Sequence, residues 1–217
     1  MGALRRVVIR RPFASPPAAE DRRELVVLAH GMGRTPASMW RVARALRAEG
    51  YRVLNWGYSS YTQPVPELGA KFGRDVAAAL GAADAVHFVG HSLGTVLIRW
   101  VLAHDPPPRA GRAVLLAPPN RGARRADAVA PYLSWLLPPL EDLRSTADAA
   151  AVRLHPPPGV EVGIIAGASD RTVAVAETRL DGARGHMLVP CGHSLIMLRR
   201  DVLRLVSAFL RSGSFGG

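Results

Sequence analysis

At 217 residues the chain has room for one well-packed domain and is short for two. Its 48% hydrophobic and 21% charged residues exclude a disordered chain, and no apolar run approaches the ~18 residues needed to span a bilayer. The net charge of +11 rests on arginine, since only Lys71 among the 28 basic residues is lysine. The arginines are scattered and form no tract interleaved with aromatics, so nucleic acid is not an expected partner, while contact with a membrane surface stays open.

Met1 to Phe13 carries charge but no apolar core followed by a cleavage site, so no secretory signal is expected. Arg6 stands where a myristoylation signal wants Ser or Thr. Arg5–Arg10 and Leu25–Ala29 read as strands separated by a turn-rich stretch. After Gly31-Met32-Gly33, the apolar residues Met39, Val42, Ala43 and Leu46 are spaced for a helix over Ser38–Glu49, stopped by Gly50. Arg52–Trp56 is the next strand. Trp56, Tyr58 and Tyr61, in and after it, are either pocket walls or plain packing. Pro66–Leu80 reads as a helix, Ala85–Val89 as a buried strand and Ser92–Ala103 as a helix.

Ala113–Leu116, Glu161–Ala166 and His186–Val189 continue the strand series, and Ser194–Leu210 reads as one long amphipathic helix. Residues 1–23 are a strand and lead-in, and 212–217 a flexible tail. Residues 118–159 leave room for a small flap. Its stretch Pro131–Leu140, with Trp135, either lines a groove or packs an apolar helix face on the sheet. Alternation of strand and helix, with continuously apolar strands, predicts a single α/β domain over 1–217. Its mainly parallel sheet of six to seven strands would be flanked by helices and carry little or no cap. In such sheets ligands bind beyond the carboxyl ends of the strands.

The strand Ala85–Val89 runs straight into Gly90-His91-Ser92-Leu93-Gly94 and then a helix. A nucleophilic serine needs this context: a sharp strand-to-helix turn exposes its hydroxyl, and flanking small residues let strand and helix approach. His91 reads as a structural histidine or, by its place in the motif, as part of the pocket. Acyl transfer also needs two backbone N–H donors for the oxyanion. Leu93 follows the serine and supplies one. Met32, in the turn His30-Gly31-Met32-Gly33 after an earlier strand, is the best source of the other.

With the order serine, acid, histidine, Asp170 is the preferred acid, because it lies in the loop leaving the strand Glu161–Ala166. Glu177 and Asp181 are reserves, and Asp142 and Asp148 are expected to fall in a helix. His193 follows the last strand at its carboxyl end and is the preferred base. His186 begins that strand and belongs at the opposite edge. Cys191, the single cysteine, excludes an intrachain disulfide, fits a reducing, cytoplasmic setting and reads as a bystander thiol. The seven histidines show no ligand spacing, so no metal is expected.

These residues resemble the α/β-hydrolase superfamily, in particular its small bacterial lipase- and esterase-like members. Ala117-Pro118-Pro119-Asn120-Arg121-Gly122 is similar to a Pro-Asn-x-Gly turn of those lipases. Val173–Leu180 followed by His186–Ser194 is similar to their acid-to-histidine stretch. The resemblance implies a Ser92, Asp170, His193 triad with Met32 and Leu93 as oxyanion donors. It implies hydrolysis of a small-molecule, ester- or lipid-like substrate without a cofactor. Thioester or amide hydrolysis, or a non-catalytic binding protein on the same fold, are the alternatives. No long insertion interrupts the pattern, so any lid is small.

Overall fold

The strands are short and rich in Val, Ile, Leu and Ala, and each is followed by a segment that crosses back over a sheet face. A computed structural model describes residues 23–156 and 158–216. The expected strand at Arg5–Arg10 lies outside the described residues. Six strands form one sheet: β1 (Glu24–Ala29), β2 (Arg52–Trp56), β3 (Ala85–His91), β4 (Ala110–Leu116), β5 (Glu161–Gly167) and β6 (Gly185–Val189). Their order is β2-β1-β3-β4-β5-β6, and every pairing between them is parallel. Parallel strands need crossovers, which here are the helices α1 (Trp40–Ala48), α2 (Val65–Leu80) and α3 (Leu93–His104) and the longer connections after β4 and β5. The connection after β4 holds α4 (Arg124–Leu133) and two single turns, α5 (Pro139–Asp142) and α6 (Ala150–Arg153), and α7 (Arg200–Ser212) closes the chain.

Side chains alternate across each strand, so the sheet divides the core in two. Leu25, Val27 and Phe88 face α2 and α3, whereas Val26, Leu28, Val89 and Val114 face α1 and α7. Among the described residues no helix is long and apolar enough to cross a membrane.

One expectation needs correction. The segment Ser194–Leu210 is not one helix: a 3-10 turn spans His193–Leu198, Arg199 is extended at φ −77° and ψ 138°, and α7 starts afterwards. Apolar spacing does not register such a break, because Ile196 and Met197 bury on the same side as Val202 and Leu205. Beyond α7 the Phe215 ring lies 4.8 Å from that of Phe209. Between β4 and β5, α4 buries only Ala126 and Ala130. Tyr132 and Trp135 are 75% and 79% exposed, and Leu133 and Leu136 are exposed too, whereas Pro139 and Leu140 are buried. Pro131 lies inside α4, which runs on to Leu133, and Pro138 and Pro139 open the single turn α5.

Candidate active site

The ends of β1, β2, β3, β5 and β6 meet at one edge of the sheet, the carboxyl edge, where an open parallel sheet binds its ligands. At the end of β3 the chain turns sharply. Ser92 sits at φ 51° and ψ −120°, a region costly for any residue with a Cβ, and α3 begins at the next residue. The turn is locked from outside: the Ser92 N–H donates to the Leu116 carbonyl (3.0 Å), and the Ser92 carbonyl accepts from the N–H and the hydroxyl of Thr95 (2.9 and 2.6 Å). The two motif glycines answer to close approach. A Cβ on Gly90 would lie 2.7 Å from Ile98 and 2.9 Å from the Thr95 nitrogen, and one on Gly94 would overlap the Ala29 carbonyl oxygen and stand 2.6 Å from that of His30. Backbone atoms cannot swing aside, so Gly94→Ala is expected to destabilise the fold by about 3 kcal/mol, lowering the thermal midpoint by roughly 10 °C. An unchanged midpoint would contradict this packing of α3 on β1.

The structure brings Ser92, Asp170 and His193 together. Ser92 Oγ–H donates to His193 Nε2 at 3.0 Å, and His193 Nδ1–H donates to Asp170 Oδ2 at 2.7 Å. Asp170 lies in the loop after β5, and its other oxygen accepts the N–H groups of Thr172 (2.7 Å) and Val173 (2.9 Å). Its side chain is 1% exposed. That burial works against its charge, but the bonds from His193, Val173 and Thr172 prevail and hold the carboxyl below its ordinary pKa. The loops carrying acid and imidazole are knitted together, Ala168 N–H donating to Val189 O (2.8 Å) and Ser169 N–H to Cys191 O (3.0 Å). Chemically, such a set can pass a hydroxyl proton to the imidazole while the carboxylate stabilises the imidazolium.

The other acids have different duties. Glu177 accepts the N–H of Arg124 (3.1 Å) and that of Ala174 (2.7 Å), capping the first turn of α4 from another part of the chain. Asp142 does the same for α2, accepting the Val65 N–H at 2.8 Å, and burial raises its pKa. Asp181 is exposed beside Arg121. His186 is held by the Thr178 hydroxyl at 2.8 Å, away from Ser92. Burial pushes the half-buried Cys191 thiol up, which weakens it as a nucleophile.

The residues read as either pocket walls or packing scatter. Trp56 is 4% exposed and belongs to the core, where its indole N–H donates to Asp75 (2.8 Å) and its ring stacks on Tyr58. It is therefore packing. His91 is also buried, and its Nε2–H donates to the His193 carbonyl at 3.0 Å with the two rings 4.9 Å apart. It supports the His193 loop from inside the fold. Burial, then the neighbouring His193, lowers its pKa to about 3, so it stays neutral. Tyr58 is half-buried against His30. Tyr61 is exposed, its hydroxyl 3.0 Å from where a Cβ on Gly33 would lie. Trp135 stands on the outer surface, its indole N–H donating to Tyr132 O at 3.0 Å. Among the described residues no group of three His, Cys, Asp or Glu side chains is placed to hold a metal ion.

Met32 lies in the turn after β1, and Leu93 opens α3, where helix N–H groups lack internal acceptors. The neighbouring amides of the turn are engaged, Gly33 with Ser60 Oγ (2.9 Å) and Arg34 with the Gly31 carbonyl (3.2 Å).

Comparison with known proteins agrees with this architecture. No curated protein matches the sequence. Among solved structures, a provisionally assigned thioesterase from Silicibacter sp. superposes with a TM-score of 0.68 at 17% identity, covering 86% of this chain and 74% of that one. A lipase-esterase related protein from Clostridium acetobutylicum gives 0.63 at 13% identity, covering 88% and 97%. The type II thioesterase BorB from the borrelidin biosynthetic cluster gives 0.62 at 21% identity, covering 94% and 96%. At these identities the likeness is one of fold. Residues 26–159, more than half of the chain, match the family described as "Alpha/beta hydrolase family". On that match and this fold, the chain belongs to the alpha/beta hydrolase family of hydrolase-type enzymes.

Proposed function

We propose that the protein is a serine hydrolase that cleaves carboxylic esters of small molecules, with Ser92 as nucleophile, His193 as general base and acid, and Asp170 as the orienting carboxylate. The continuous chain of hydrogen bonds from Ser92 Oγ through His193 to Asp170 carries this reading. His193 takes the Ser92 proton as Oγ bonds to the ester carbonyl carbon. The negative oxygen that results is held by the Met32 and Leu93 amides. Collapse breaks the bond to the leaving alcohol, which departs with the proton from His193. Water, deprotonated by the same imidazole, then releases the acid and frees Ser92. We read residues 1–217 as one hydrolase domain, with 118–159 as a small flap.

A fluorophosphonate probe with intact-mass detection tests the reading. The wild type is expected to gain one adduct and Ser92→Ala none. Absence of labelling under conditions that label a known esterase would refute it. Labelling without turnover of p-nitrophenyl acetate or butyrate would instead overturn the ester assignment and favour thioesters, which the same groups can attack.

A further inference from the structure

The turn that carries the Met32 amide is gripped by the loop that follows β2. Tyr58 Oη–H donates to the His30 carbonyl at 2.6 Å, and its ring lies nearly flat on the His30 imidazole, 4.2 Å between centroids. Burial pushes the Tyr58 phenol up, so it remains a donor. Two residues on, Ser60 is 1% exposed, and its Oγ accepts the Gly33 N–H at 2.9 Å. The loop thus takes hold of the turn on both sides of Met32.

What lies between decides where the Met32 N–H points. His30 Nδ1–H donates to the Gly31 carbonyl (2.9 Å), which also accepts the Arg34 N–H (3.2 Å). Since a carbonyl only accepts, His30 carries its proton on Nδ1. The Gly31 carbonyl and the Met32 N–H belong to one planar trans peptide and point in opposite directions. Fixing the carbonyl therefore aims the N–H, and turning the peptide over would break both bonds. The restraint matters because Gly31 and Gly33 flank the amide, and glycine leaves the backbone many orientations. An oxyanion donor is effective when it needs no reorganisation as charge develops.

We propose that Tyr58 and Ser60 are positioning residues which, acting through His30 and Gly33, aim the Met32 amide at the oxyanion; this rests on the reading of Ser92 as nucleophile. Neither was singled out for that role from sequence, where Tyr58 read as either a pocket wall or plain packing.

The test uses Tyr58→Phe, which keeps the ring stack and removes the hydroxyl, Ser60→Ala, and the double variant. Each is measured for kcat and KM on p-nitrophenyl butyrate, for inhibition by a trifluoromethyl ketone, and for thermal midpoint. The ketone forms a tetrahedral adduct on Ser92 whose oxyanion needs the same donors. Loss of a whole oxyanion donor costs about 10²–10³ in kcat, so misaiming one is expected to cost about 10-fold per single variant and about 100-fold in the double. KM should stay within about two-fold, and ketone affinity should fall in step with kcat/KM. Should Tyr58→Phe not fold, Ser60→Ala carries the same readouts. If kcat stays at the wild-type value while Ser92→Ala is inactive, the clamp is overturned and the nucleophile stands. If kcat falls but ketone affinity does not, the residues act on something other than the oxyanion, and the clamp is overturned as well. Failure of the underlying reading shows separately, as activity retained by Ser92→Ala.

Discussion

Ser92→Ala is expected to lower kcat on p-nitrophenyl butyrate by about 10⁵- to 10⁶-fold with little change in KM. The residual rate would come from the oxyanion donors and from binding, which remain when the hydroxyl is gone. A second readout comes from the backbone. Ser92 is held at φ 51° and ψ −120° by the Leu116 carbonyl and by Thr95, and Ala has the same Cβ and so inherits the strain. Gly does not. Ser92→Gly should therefore be as inactive as Ser92→Ala but more stable by about 1–3 kcal/mol, the usual range for a strained functional residue. Denaturant unfolding of the two variants side by side measures this difference. Equal stability would mean that the turn stores no strain, and hydrolysis by either variant at the wild-type rate would remove Ser92 from the mechanism.

The contrast between what could and could not be read from the sequence follows the range of the interactions. The Ser92 turn is made within five residues, so its glycines and its strand–helix junction are visible in a short window. Asp170 and His193 could be named because strand ends in a parallel sheet share one edge, which turns chain order into spatial order. The residues whose roles the sequence left open owe them to distant partners. Trp56 became core because Asp75 and Phe72 of α2 receive it, His91 turned inward because the His193 carbonyl lies 102 positions on, and Glu177 caps a helix 53 positions back. Each looks like a site residue by composition, and each is a tie between separate crossovers. The break at Arg199 escaped for another reason: a 3-10 turn repeats every three residues, close enough to the helical period that apolar spacing continues across the join.

The assignment of the acid is the step at which sequence left three carboxylates open, and Asp170→Asn separates them. Asp170 Oδ1 faces two N–H donors, those of Thr172 and Val173, so an asparagine there must place its carbonyl oxygen toward them. Its amide nitrogen then points at His193 Nδ1. Two donors cannot face each other, so the imidazole gives up the proton on Nδ1 and carries it on Nε2, the atom that should accept from Ser92. The geometry survives with the wrong tautomer, and kcat is expected to fall by about 10⁴. Glu177→Gln puts an amide donor against one of the two N–H groups that this side chain accepts, which should cost about 1–3 kcal/mol of stability and leave kcat of the folded protein unchanged. Asp181→Asn, at an exposed ion pair, should change neither. Measuring kcat and the unfolding free energy for all three makes a pattern that only one acid can satisfy. Wild-type kcat in Asp170→Asn would refute the assignment, and a 10⁴-fold loss in Glu177→Gln without loss of stability would transfer it.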